Sequence, residues 1–115
     1  MRTYDEILRG LCAAVWDGTS DVRCSTGTFT AEQFRHALHI PEGERAYLIG
    51  DVHRGVPFFV GRAGEDMQGG SVESCARRRV VKLAEEMYNA QLPEGAERVA
   101  FPEELLSAIE VGDSL

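Results

Sequence analysis

The fold is decided by residues 46–61, which read AYLIGDVHRGVPFFVG. Two apolar runs flank His53-Arg54-Gly55, and Gly55 supplies the positive φ that a tight hairpin turn needs. Each run is apolar on consecutive residues and not only on alternate ones, which is typical of strands covered on both faces. Residues 46–61 therefore predict a hairpin at the centre of the fold. Pro57 lacks a backbone donor, so we expect the second strand at a sheet edge or at a bulge.

A phrase that leads into this hairpin occurs twice in the chain. Ile40-Pro41-Glu42-Gly43-Glu44-Arg45-Ala46-Tyr47-Leu48 returns as Leu92-Pro93-Glu94-Gly95-Ala96-Glu97-Arg98-Val99-Ala100-Phe101. In each copy, proline ends a helix, glycine provides a turn and an apolar run starts a strand. The second copy predicts a strand near residues 99–101. Internal duplication and the convergence of two unrelated turns both explain this similarity. Duplication is the less favoured explanation, since a repeat array needs more than two copies.

Capping patterns predict four helices. Thr3 and Glu6 form a capping box, and apolar residues recur at three- and four-residue spacing, so the first helix is expected to run up to Asp17-Gly18. A second helix is capped by Thr30 and ends before Pro41. A long third helix starts after Ser71 and runs to about residue 91, and a last helix starts at Pro102 and ends before Gly112.

These elements together predict an α+β fold. Residues 21–29 are rich in Thr, Val and Cys and predict a strand between the first two helices. The predicted order is α-β-α-β-β-α-β-α. We expect one domain over residues 1–115, in which helices pack on one face of a mostly antiparallel sheet.

Composition and charge indicate an acidic, soluble protein. The chain has 115 residues and a net charge of −7, and it contains no run of about 20 apolar residues that could span a membrane. Its three cysteines are widely spaced, which favours reduced, packed thiols and a cytoplasmic location. Six acidic residues and one arginine fall in segment 93–115, a net charge of −5 that repels nucleic-acid phosphate and attracts basic partners.

Two groups of residues have the chemistry of metal ligands. Gly50-Asp51-Val52-His53 resembles the opening Gly-Asp-x-His of calcineurin-like metallophosphatases, and that resemblance implies a dinuclear metal site. The later Gly-Asp-x-x-Asp and Gly-Asn-His-Asp/Glu motifs of that family are missing from this chain. Glu32, His36 and His39 share a face of the second helix and could bind Zn²⁺ with Cys24 or His53. They also lie opposite an apolar stripe, where polar residues are simply solvated, so solvent exposure is favoured over a metal site. We expect no cofactor and no catalytic residue, since the chain has no nucleophile motif such as Gly-x-Ser-x-Gly.

The long helix contains three consecutive arginines at 77–79, a feature that is common in RNA-binding proteins. From Thr3 to Leu92 the order of elements resembles that of double-stranded-RNA-binding domains, whose core is α-β-β-β-α and whose last helix opens with lysines. Here Val72 and Glu73 stand in that place. Arg77, Arg78 and Arg79 fan around the helix and do not form one patch. RNA binding through an α-β-β-β-α core is therefore kept only as a minor alternative for this acidic chain.

The leading prediction is a small non-catalytic protein that binds another protein and also forms a homo-oligomer, and its acidic charge favours a basic partner. Val81 and Tyr88 widen the apolar arc of the long helix and are the expected apolar contacts, either within the domain or with another copy. Charge steering is assigned to the acidic residues of the C-terminal segment: Glu103, Glu104, Glu110 and Asp113.

Two alternatives are kept beside this prediction. An acidic inhibitor of the anti-restriction or anti-CRISPR type would present carboxylates where an enzyme expects phosphates. A small-molecule binder or enzyme would have a pocket between the sheet and helix 71–91, with an anion held by the loop at Gly69, Gly70 and Ser71.

Overall fold

The computed structural model describes residues 1–24, 27–51, 57–62, 70–101 and 103–112. Its elements in chain order are α1 (Tyr4–Arg9), β1 (Leu11–Trp16), β2 (Val22–Cys24), β3 (Gly27–Phe29), α2 (Ala31–Ala37), β4 (Ala46–Asp51), β5 (Pro57–Gly61), α3 (Val72–Ala90), a 3₁₀ helix (Glu103–Ala108) and β6 (Val111–Gly112). The predicted α+β class is confirmed.

The main sheet has four strands in the order β5-β4-β1-β6. The β1/β4 and β4/β5 pairs are antiparallel, and β6 pairs with β1 in parallel. The central hairpin is confirmed, although its turn lies outside the described residues. Proline stands where it was predicted, because β5 is the outer strand and the register with β4 shifts next to Pro57.

Strand β4 is buried on both faces and divides the interior into two cores. Tyr47 and Ile49 are fully covered, and on their face lie Ala13 and a row of α3 residues: Val72, Cys75, Ala76 and Val80. Ala46 and Leu48 face the other way, where they pack with Trp16, Val22, Phe34 and Ile40. The sheet is therefore covered on one side by α3 and on the other by α2 and the β2–β3 hairpin, so the expected packing of the helices on one face alone is corrected. Two separate cores follow from one strand because successive side chains alternate across a sheet.

The first predicted helix is wrong beyond residue 9. Gly10 ends α1, and its amide bonds back to the carbonyls of Glu6 and Ile7. The next six residues, LCAAVW, form β1 and pair along their whole length with β4. All six residues are apolar, so their pattern fits a helix as well as a strand that is buried on both faces. Pairing with β4 decides in favour of the strand.

Three other predictions along the chain are corrected. The single strand expected over residues 21–29 is a pair of antiparallel strands, β2 and β3, which form a sheet of their own. Residues 99–101 are not in a sheet, and the last strand is β6 at 111–112. The last helix is 3₁₀ and covers 103–108, and Pro102 lies outside the described residues. Gly112, expected beyond the end of that helix, belongs to β6.

The turn after β1 is fixed to α2 by polar contacts. The Asp17 carboxylate accepts hydrogen bonds from the amides of Thr19 and Ser20, both at 2.8 Å, and these bonds lower the pKa of Asp17. Arg35 of α2 donates to the Gly18 carbonyl and lies over the Trp16 ring, 5.5 Å from its centroid. Gly18 has a φ of 86°, a conformation that favours glycine.

Helix α2 begins and ends in recognisable motifs. Its capping box is confirmed, since Thr30 and Gln33 exchange both side-chain bonds. At the other end, the amide of Ile40 bonds to the Arg35 carbonyl at 2.9 Å and that of His39 to His36 at 3.3 Å. This is a Schellman motif, in which the residue at the position of His39 is usually glycine. His39 adopts a φ of 55° there.

Replacing His39 with glycine is expected to stabilise the protein by about 0.5–1 kcal/mol, because glycine adopts this conformation without a Cβ penalty. Urea denaturation measures the change. The matched control is His36→Gly, which places glycine inside α2 and should destabilise by about 1 kcal/mol. Equal destabilisation by both substitutions would contradict the assignment of the motif.

Candidate binding surface on the C-terminal strap

Residues 93–112, called the C-terminal strap below, run along α3 in the opposite direction to the helix. Val99 contacts Asn89, Phe101 contacts Glu85, and Ile109 contacts Arg77. The strap numbers thus rise as the helix numbers fall. Beyond the 3₁₀ helix, Val111 and Gly112 join the main sheet as β6 beside Ala13 and Ala14.

The first anchor of the strap is a pair of hydrogen bonds with one side chain. Asn89 donates through Nδ2 to the Val99 carbonyl at 3.0 Å and accepts from the Val99 amide through Oδ1 at 2.9 Å. A side-chain amide has one donor group and one acceptor, so it can bond a backbone as a neighbouring strand would. Val99, where a strand was predicted, therefore has its backbone paired with the Asn89 side chain and not with a neighbouring strand.

A second anchor lies one helical turn away. The Phe101 amide donates to Glu85 Oε1 at 2.9 Å. The Phe101 ring stacks on Tyr4 and meets Tyr88 edge-on, with centroids 5.8 Å apart. Burial raises the pKa of Tyr4, and the nearby Glu85 carboxylate raises it further. Around Val99 and Phe101, the strap is thus held to α3 by three hydrogen bonds and the Tyr88 ring, and to α1 by the Tyr4 ring.

The predicted apolar contacts lie under the strap. Val81 is 7% exposed and lines a cavity with Phe101 and Leu106, whereas Tyr88 is half-buried against Phe101. The second contact expected for the wide arc of α3 is therefore made by the chain itself. A role for Val81 and Tyr88 in contacting a partner protein stays a prediction.

Three of the four predicted acidic residues belong to the described part of the strap. Glu103, Glu104 and Glu110 are exposed, and Asp113 lies outside the described residues. Glu94 and Glu97, which the sequence analysis did not single out, are exposed as well. The anchoring residues Asn89 and Glu85 were also missed. Their only signal in the sequence is their spacing: the two polar residues lie four apart on one face of the long helix, which is followed by the apolar run at 99–101.

The described part of the predicted anion loop includes the N-terminal cap of α3. Ser71 caps α3 as expected, since its Oγ accepts from the Ser74 amide at 3.0 Å, and Gly70 has a φ of 99°. Gly69 lies outside the described residues. In the first turn of α3, a hydrogen bond with its own backbone lowers the pKa of Glu73, and Arg45 nearby lowers it further.

The other candidate residues are placed as follows. Glu32, His36 and His39 line one shallow depression of about 300 Å³ with Arg35 and Ile40. Within the described ranges, no group of three or more His, Cys, Asp or Glu side chains is arranged to hold a metal ion, and His53 and the Cys24 side chain lie outside them. The basic run fans as predicted: Arg77 reaches the Ile109 carbonyl, whereas Arg79 lies over the Phe59 ring at 4.8 Å.

No protein-family model, curated protein or solved structure matches this chain.

Substituting Asn89 by alanine is expected to loosen the strap. Loss of both bonds to Val99 should cost about 1 kcal/mol, because exposed hydrogen bonds contribute little more than that. Amide hydrogen exchange at Val99 should speed up by roughly fivefold, as that energy implies. Asn89→Asp is the matched control, since it keeps the acceptor for the Val99 amide. Unchanged exchange in the alanine variant would rule out this anchor.

Substituting Tyr4 by phenylalanine tests the buried hydroxyl. This hydroxyl has no hydrogen-bond partner among the described residues, so Tyr4→Phe should be neutral or stabilising by up to about 1 kcal/mol near pH 7. Because the folded-state pKa is raised, the unfolded chain loses its proton first as the pH passes about 10. The native chain should then lose stability relative to Tyr4→Phe. Urea denaturation at about pH 7 and 10.5 measures this difference, which a solvent-exposed hydroxyl would leave constant.

Proposed function

We propose that this chain is a non-catalytic binding protein whose C-terminal strap binds a basic partner protein. The observation that carries the proposal is the set of exposed carboxylates on the strap: Glu94, Glu97, Glu103, Glu104 and Glu110. Against them stands Arg98 as the strap's one basic residue. Such a field attracts cationic surfaces and raises the rate of encounter with them.

The attachment of these carboxylates to a folded surface supports binding with a defined geometry. Anchors at Val99, Phe101 and Ile109 hold the strap along α3, and β6 fixes its far end to the sheet. A flexible acidic tail would have to be ordered on binding, which costs conformational entropy. The strap carries its acids in an ordered segment, so less of that cost falls on the complex.

The perturbed ionisable groups support binding over catalysis. Among the described residues, the side chains whose pKa departs clearly from its ordinary value are Asp17 in a turn, Glu73 at a helix start and Tyr4 under the strap. Each shift has a local cause in hydrogen bonding or burial, and the three groups belong to three different parts of the fold. Catalytic sites instead gather perturbed groups in one cleft.

The proposal includes the cytoplasmic location and the self-association that the sequence predicts. No helix within the described ranges combines the length and the apolarity needed to cross a membrane. A nucleic-acid-mimicking inhibitor would be one member of this class, with a nucleic-acid-binding protein as its partner.

Reversing three charges on the strap tests the proposal. Glu103, Glu104 and Glu110 are replaced together by lysine, and an arginine-rich peptide of about 12 residues serves as the basic probe. Binding should weaken by on the order of tenfold, since three exposed charge pairs contribute about 0.5 kcal/mol each. Its salt dependence should also become weaker. Fluorescence anisotropy over a range of salt concentrations gives both quantities, and light scattering on the same samples gives the oligomeric state.

The matched control reverses three exposed acids elsewhere, Asp21, Glu42 and Glu86, and so changes the net charge by the same amount. This control is expected to lose less than about threefold in affinity, because its charges lie off the strap. Equal weakening by the two triple variants would mean that only net charge matters and would overturn the proposed surface.

A further inference from the structure

An open groove lies between α3 and the strap, and it is made of two adjoining cavities. The first has a volume of about 440 Å³ and is lined by Ser74, Arg77, Arg78 and Leu106. The second, of about 360 Å³, shares Arg78 and Leu106 and adds residues from the middle of α3 and from the strap: Val81, Lys82, Glu85, Phe101 and Glu103. The volumes fall in the range of small-molecule sites.

The first cavity is basic. Arg77 donates from Nε to the Ile109 carbonyl at 3.1 Å, which uses one of the five donors of its guanidinium and orients the group. The neighbouring Arg78 is exposed at the cavity. Ser74 uses its hydroxyl proton to bond the Ser71 carbonyl at 2.9 Å, so the donors that remain for a ligand come from the two arginines. Paired guanidinium groups match the oxygens of a carboxylate or a phosphate.

The second cavity is apolar along one wall and carries charges of both signs. Val81, Phe101 and Leu106 supply the wall. Lys82, Glu85 and Glu103 also line it, and Glu85 already accepts the Phe101 amide. The two carboxylates make this cavity less favourable for an anion than the first one, whereas an apolar group would cover surface that water now reaches.

We infer that the groove binds a small organic anion, a carboxylate or phosphate attached to an apolar body. Arg77 and Arg78 receive the anionic group, and the body lies over Leu106 toward Val81 and Phe101. The anionic group is placed in the first cavity because the described lining of that cavity holds two arginines and no carboxylate. The site goes beyond the proposed function, since its ligand is a small anion held by arginines of α3 and not a basic protein.

The test is an NMR titration of the ¹⁵N-labelled full chain with phenyl phosphate, with benzoate and with inorganic phosphate. Phenyl phosphate or benzoate should shift amides of residues 74–82 and of 101 and 106 in a saturable way. Whichever of the two binds more tightly identifies the anionic group. Inorganic phosphate should bind at least about tenfold more weakly, because it lacks the apolar body.

Variants locate the site. Arg78→Gln should weaken phenyl phosphate binding by about tenfold through loss of a charge-assisted bond, whereas Arg9→Gln, an equal change of charge on α1, should leave it unchanged. Both variants keep the spectrum of the folded chain as their control. The inference is overturned if no saturable shift occurs up to about 10 mM, if Arg78→Gln behaves like Arg9→Gln, or if inorganic phosphate binds as tightly as phenyl phosphate.

Discussion

The pairing of β1 with β4 is the constraint on which the rest of the structure depends. Six residue pairs join the two strands, and both strands turn apolar side chains to both faces of the sheet. Neither strand could be covered by a single layer, because its backbone bonds lie in the sheet and its side chains need partners on two sides. The sheet therefore lies between α3 on one side and α2 with the small hairpin on the other.

The surface on which function is proposed is a third layer added to this arrangement. Helix α3 packs on the sheet through Val72, Cys75, Ala76 and Val80, and its outer side is left for the strap. Arg77 and Arg78 of α3 line the groove, and the described lining of the groove includes none of the exposed glutamates Glu94, Glu97, Glu104 and Glu110 of the strap. An acidic exterior and a basic groove thus coexist within a few residues.

How much of this could be predicted depended on whether the deciding interactions were local. The caps of α2 and α3 and the hairpin at 46–61 were predicted, because cap, turn and apolar run lie within a few residues of one another. Strand β1 was not, since LCAAVW fits a helix until β4 is there to pair with it. The acidic strap was visible as composition, but Asn89 as the partner of Val99 and Arg78 beside Leu106 were not. Those contacts exist only once α3 and the strap lie together, and no local pattern encodes them.

The parallel pairing of β6 with β1 has a consequence for the order of folding. Ala13 meets Val111, a contact that closes a loop of roughly 100 residues, and such contacts form late because their entropy cost comes before their reward. During synthesis, α3 is made before the strap that covers it. The apolar side chains of α3 under the strap, such as Val81, stay open to chaperones or to other nascent chains until residues 93–112 have been made.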